Sequence, residues 1–349
     1  MTTWISAFIS AVALVLSAPL LAQTVIAIDN AKPWSHGLSG LKIPTSVAGY
    51  TRLEVKDFGK SQSDVSVSFR NRESGTFVTL YAFRAGIPDV SIWADRAEGS
   101  IIIAAEQHYG TLDQAGRRWT RFSPWDNSKD AGLRLVYPLS GKRSTATGLL
   151  MVRHGEWLFK VRMTSSQLNA DQLDTQLSAF FSGLAIRAPK TGGGAAYAVR
   201  PCKTQLSTAK VRQLKADASE IFLPTIIDAL DEDSPSKRPA LYCRQDGDNP
   251  SFAIYRPGES IETYVIAVGD GGMTVRVLPW PITTKGRERP FVSVLLFTND
   301  RIVGYPRFDA TPGWEQAVDA VNGSSPSFES GRTPETRKET QIFIDPTSD

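Results

Sequence analysis

Three histidines, His36, His108 and His154, and two cysteines, Cys202 and Cys243, are the residues of this 349-residue chain best suited to chemistry. Nucleophilic catalysis needs a hydroxyl or thiol within reach of a base, and that base held by a third group. His36 stands in a loop, His108 near the end of a predicted helix and His154 in a predicted hairpin turn. A charged imidazole at a helix C-terminus is favoured by the helix dipole, which accounts for His108 without a function. The Gly-x-Ser-x-Gly elbow is absent, and the sequence carries no catalytic assignment.

Metal and cofactor chemistry finds no complete motif. Asp246-Gly247-Asp248-Asn249 offers loop oxygens but not the further spaced ligands and distal glutamate of a calcium loop, and reads as a polar turn. Asp228, Asp231, Glu232 and Asp233 gather at a predicted helix C-terminus and read as a solvated end. Gly192-Gly193-Gly194 and Gly269 to Gly272 lack the strand-to-helix setting and the following Gly-Lys-Ser/Thr of a phosphate loop. The expectation is therefore no metal and no cofactor.

Cys202 and Cys243 form an even pair, most simply a disulfide in an oxidising compartment. Zinc would want four Cys or His ligands. Ile5 to Ala22 is free of charge, with the apolar run Ala11 to Leu16 followed by Ser17-Ala18-Pro19 and Leu20-Leu21-Ala22. That pattern predicts a signal peptide over 1–22, although Met1-Thr2-Thr3-Trp4 lacks the usual basic residue. An uncleaved anchor is the competing reading, because about 18 apolar residues approach a bilayer span. Both readings place the protein in the periplasm or outside the cell, with no stable membrane span once the signal is cleaved. With 39 basic and 36 acidic residues the net charge is only +3, which excludes nucleic acid as the expected partner.

One cluster of interaction-prone residues stands out. Arg117, Trp119, Arg121 and Trp125 lie around a predicted strand and the loop after it. Aromatics and arginines are enriched at interfaces. They also hold sheets to covering helices, so the patch is read both ways.

The elements that must position these residues follow from periodicity. Period-two alternation predicts strands at 53–58, 65–69, 77–83, 118–122, 133–139, 147–153 and 157–163. Helices are expected from Asp89 or Ser91 to Gly110, and from Ser165 or Ser166 through Phe181. A second block begins with a helix capped by Ser207 or Thr208, continues with strands at 240–244, 252–255, 263–268, 273–278, 291–297 and 301–305, and ends in a helix from Thr311-Pro312 to Gly323. The fold class is α+β, two domains, each an antiparallel sheet packed with helices. The expected boundaries are 38–188, a Gly-rich linker over 189–198, a second domain over 199–322 and a mobile tail over 323–349, with Gln341 to Ile344 as a short edge strand.

The order of three strands, a helix, four strands and a closing helix, opened by Leu41-Lys42-Ile43-Pro44 and closed by Leu177 to Leu184, resembles the Mog1/PsbP-like α-β-α sandwich. That resemblance implies an accessory or binding protein and transfers no catalytic residue. The chain is thus expected to be an exported, non-enzymatic protein that binds a protein, an envelope component or a small ligand. The alternative is an exported hydrolase with its site at the interdomain cleft.

Overall fold

A computed structural model describes residues 23–59, 61–141, 143–190, 193–214, 241–245, 249–279, 291–333 and 341–343. The fold is dominated by sheet, 41% strand against 16% helix. The main strands of the first sheet are β1 (Tyr50–Asp57), β2 (Asp64–Asn71), β3 (Thr76–Arg84), β4 (Arg118–Phe122), β5 (Gly132–Ser140), β6 (Ala146–His154) and β7 (Trp157–Ser165). They are ordered β1-β2-β3-β7-β6-β5-β4, every neighbour antiparallel. The two-residue strands Thr24–Val25, Ser46–Val47 and Thr111–Leu112 pair with β1, β1 and β5. Strands β6 and β7 meet at Gly155, whose φ of 61° suits the tight turn.

Alternation gives this sheet two apolar faces. Val67, Phe69, Leu80, Val161 and Leu150 point to one side and pack on helix α2 (Ala170–Gly183) through Leu173, Leu177 and Phe180. Leu133, Leu135, Leu149, Met151 and Leu158 point to the other and pack on helix α1 (Val90–Ala104) through Ile92, Trp93, Ala97 and Ile101. Asp89 caps α1 by accepting the Ser91 and Ile92 amides at 2.8 and 3.1 Å. The closing helix starts later than Ser165 or Ser166. Ser165 Oγ is taken by the Gln167 and Leu168 amides in the approach turn. Asn169 forms the capping box with Gln172.

The second sheet is a meander in chain order: β8 (Tyr242–Arg244), β9 (Phe252–Pro257), β10 (Tyr264–Val268), β11 (Met273–Pro279), β12 (Val292–Phe297), β13 (Arg301–Phe308) and β14 (Phe328–Gly331). Arg200–Pro201 adds in parallel to β8, and Gln341–Ile342 adds antiparallel to β14. One face, with Ile254, Ile266, Val275 and Val294, packs on helix α3 (Trp314–Gly323) through Ala317 and Val318.

Two expectations are corrected. Residues 207–214 form no helix: Gln213 bridges to Phe308, and the Leu214 amide donates to Arg307 O at 2.7 Å, so β13 captures the end of this stretch. The remainder of that expected helix and its acidic end lie outside the described residues, as do 1–22, Gly192 and Asp246 to Asp248. Residues 327–333, expected as part of a mobile tail, are packed structure. Phe328 is fully buried, and its ring covers Gly304, where any Cβ would collide with it. Its polar neighbours Ser327, Ser330, Arg332 and Thr333 are buried too. Composition hid this because one aromatic among polar residues is enough when a glycine opposite leaves it a seat.

Candidate functional site in the seam between the sheets

Helix α1 is the element through which the halves meet. Its apolar cluster includes Ala253, Tyr255 and Ala267 of the second sheet along with the first sheet's face. Polar pairs line this seam. Tyr255 donates its hydroxyl to Asp95 Oδ2 at 2.5 Å, and Arg244 meets the same oxygen at 3.3 Å. Arg96 donates to the carbonyls of Gly269 and Pro250 at 2.8 and 2.9 Å. Burial pushes the Asp95 carboxyl above its ordinary range, and Tyr255 and Arg244 pull it back.

A second zone lies where the β10–β11 turn touches the first sheet. Gly272 has φ of 101° and a Cβ there would stand 2.6 Å from Arg84 O, so only glycine lets the chains approach this closely. The Gly86 amide donates to Gly272 O at 2.8 Å, and Asn299 Nδ2 ties Arg84 O to Gly271 O at 2.7 Å each. Arg332 reaches back to Ala85 O at 3.0 Å, while Arg84 contacts Arg332 O and Glu156.

Beside this zone the Lys160 ammonium, 2% exposed, sits 3.0 Å from Asp270 Oδ2 and 4.4 Å from the Tyr81 ring centroid. Burial would raise the Asp270 carboxyl, but Lys160, then Arg162 and Arg96, outweigh it and hold it low. Burial pushes Asp64 up to about 7; Lys160 opposes this, and Asp270 and Asp57 add to it. An acid raised on folding binds its proton more tightly in the native state. Its contribution is therefore full below the ordinary carboxylate value and is lost as pH rises toward 7. Asp270 acts in the opposite sense at lower pH. Asp64→Asn is accordingly expected to flatten the fall in stability between about pH 4 and 7, measured as urea midpoints; a slope equal to wild type contradicts the assignment.

A cavity of about 180 Å³ opens at the start of α1. It is bordered by Asp89, Ser91, Arg153, Gly193, Ala196 and Tyr242, so both sheets and the connecting segment contribute. The connecting segment is anchored as it passes: Ala196 N donates to Asp130 O at 2.8 Å, Tyr197 N to Ser91 Oγ at 2.9 Å, and Tyr242 N to Tyr197 Oη at 2.8 Å. The joint that three glycines led one to expect is thus hydrogen-bonded from Ala196 on. Burial raises the Asp89 carboxyl; the Ile92 and Ser91 amides and Arg153 counter it. The Tyr242 phenol is pushed up to about 12 by burial and by Asp89, so it enters the pocket as a hydroxyl at neutral pH. A carboxyl, a guanidinium and a phenol around one small space can accept and donate hydrogen bonds to a compact polar molecule.

The sequence-derived patch is divided by the sheet. Arg117 and Trp119 lie toward α1, where Arg117 clamps Glu98 at 2.6 and 2.9 Å and Trp119 packs against the apolar cluster of that face. Trp125 packs on the opposite face near Phe181 and donates to Ile186 O at 3.2 Å. Arg121 is exposed and pairs in register with Leu133. The four residues therefore do not form one surface. Neither Arg153 nor Tyr242 carries a motif that sequence reasoning could find: one lies a residue before the end of β6, the other opens β8, and both border the cavity with the connecting segment. In the sequence Asp89 reads only as a helix cap.

Cys202 and Cys243 are joined by a disulfide, Cα to Cα 4.9 Å, and no helix among the described residues is long and apolar enough to cross a membrane. No family model, no curated protein and no solved structure matches this chain.

Proposed function

We propose that this is an exported binding protein of the periplasm or the secreted fraction, not an enzyme at its seam, whose cavity takes one small neutral or zwitterionic molecule. The observation that carries the reading is the convergence of Asp89, Arg153 and Tyr242 on a cavity of about 180 Å³. Opposite charges in one small space disfavour a ligand of large net charge and suit one with both donors and acceptors. The disulfide supports an oxidising compartment, and the uncharged stretch before residue 22 supports export.

In this reading the chain has two α+β halves, each a sheet covered by helices, and the first belongs with the Mog1/PsbP-like sandwiches. The element order β1-β2-β3-α1-β4-β5-β6-β7-α2 supports that likeness. The halves share α1; the pocket is accordingly preformed rather than closed by a hinge.

Thermal-shift titration of wild type and Arg153→Ala with a panel of amino acids and monosaccharides tests the proposal. Wild type is expected to be stabilised by one class, and Arg153→Ala to lose at least about tenfold in apparent affinity, the loss of one charge-assisted hydrogen bond. Equal responses of the two proteins would remove the pocket from the account.

A further inference from the structure

A serine and a histidine meet in the turn that precedes the first sheet. Ser39 Oγ lies 2.6 Å from His36 Nδ1, and His36 Nε2 lies 2.7 Å from the backbone carbonyl of Gln62. A carbonyl only accepts, so Nε2 carries the hydrogen. In the neutral ring Nδ1 is then a lone pair, and the Ser39 hydroxyl must donate to it. This is the relation of a nucleophile to its general base, with the base oriented by a third group.

The orienting group is itself held in place. Gln62 has φ of 54°, a left-handed conformation uncommon outside glycine. It is held there by Asp57, whose carboxylate accepts the Gln62 amide at 3.0 Å and the Gly59 amide at 2.9 Å. Strained residues that fix a side chain's partner gather at working sites. His36 is fully buried, with the Trp157 ring edge-on at 5.1 Å and the Trp34 ring at 5.7 Å. Burial holds the imidazole below its ordinary value despite the Gln62 carbonyl and Asp57, keeping it a neutral base.

Ser39 is only half-buried, and its other polar contact is the Leu41 amide at 3.3 Å. The space beside the turn is open: a Cβ placed on Gly37 or on Gly40 would meet no atom within 4 Å. Trp34 and Leu38 leave half-buried apolar surface next to it.

We propose that Ser39 is a nucleophile activated by His36, reactive toward carboxylic esters with an apolar acyl group and toward their phosphonyl analogues. Ser39 Oγ forms the new bond to the acyl carbon. The hydroxyl proton passes to His36 Nδ1 and then to the departing alkoxide, so acyl-Ser39 and an alcohol result. The site is separate from the seam cavity, and neither reading depends on the other.

The test is labelling of the full-length protein with an alkyl fluorophosphonate. Here Ser39 Oγ bonds to phosphorus, fluoride leaves, and the proton goes to His36. Intact mass and peptide mapping give the site and the rate. One adduct on Ser39 is expected, absent in Ser39→Ala. His36→Asn, whose side-chain oxygen can keep the hydrogen bond without a base, should react about 100-fold more slowly. Wild-type protein unfolded in urea should lose the label, a control that stands even if His36→Asn does not fold. No adduct on Ser39, an undiminished rate in His36→Asn, or equal labelling of the unfolded chain would each overturn the proposal.

Discussion

Trp93→Ala is expected to destabilise the protein by about 3–5 kcal/mol, the range for removing a fully buried large aromatic. Trp93 is fully buried in α1, stacks edge-on against Phe83 at 6.0 Å, and donates its indole hydrogen to Ile87 O at 2.7 Å. The substitution leaves a cavity and removes one of the two hydrogen bonds that Ile87 O accepts, the other coming from the Asp89 amide at 2.9 Å. The helix lies between the sheets, so the damage should reach both. Urea unfolding followed by fluorescence and by far-ultraviolet circular dichroism should give coincident curves shifted to lower midpoint. A shift below about 1 kcal/mol, the size of an ordinary peripheral substitution, would mean that α1 is not the shared core.

The second large effect belongs to the disulfide. The cysteines are 41 residues apart, and closing a loop of that length removes unfolded-chain entropy worth about 4 kcal/mol in the chain-entropy model. Native contacts around it are already dense. Arg256, fully buried, donates to Cys202 Sγ at 3.3 Å and to Thr204 O at 2.8 Å, and Cys202 N donates to Arg244 O at 2.8 Å. Replacing both cysteines by serine is therefore expected to lower stability by about 2–5 kcal/mol while the overall circular dichroism is kept. Identical urea midpoints for the disulfide-bonded protein and the double variant would show that the loop is constrained by other means.

Most strands and three helices were legible because their burial is one-sided. In β2 the residues Val65, Val67 and Phe69 alternate with Ser66, Ser68 and Arg70, and in α2 Leu173, Leu177 and Phe180 recur at helical spacing. The third dimension was not legible. Helix α1 carries apolar residues around much of its circumference, Val90, Ile92, Trp93, Ala94, Ala97 and Ile101 among them, which fits a helix covered on two sides. Read only as one stripe, it suggested a single sheet beneath. Lys160 sits mid-strand between Phe159 and Val161, a position that looks solvent-facing by period two. Its partners Asp64 and Asp270 are 96 residues before it and 110 after it, a juxtaposition only the packed seam makes.

The site shows the same limit. His36 reads as a loop residue, and Gln62, whose carbonyl fixes its tautomer, is 26 residues further along the chain. The anchoring of the segment after Gly194 by Asp130 and Ser91 is invisible until the chain is folded. Cysteine count, in contrast, needs no geometry: two thiols in one chain have one intramolecular pairing, and Cys202 and Cys243 make it.

The most direct measurement of the account is differential scanning calorimetry of the wild-type protein. A core shared through α1 predicts one transition with calorimetric and van't Hoff enthalpies equal, followed together by probes in the first sheet and in the second. Two separable transitions, with one sheet melting while the other stays folded, would contradict the shared core and with it the preformed cavity in the seam.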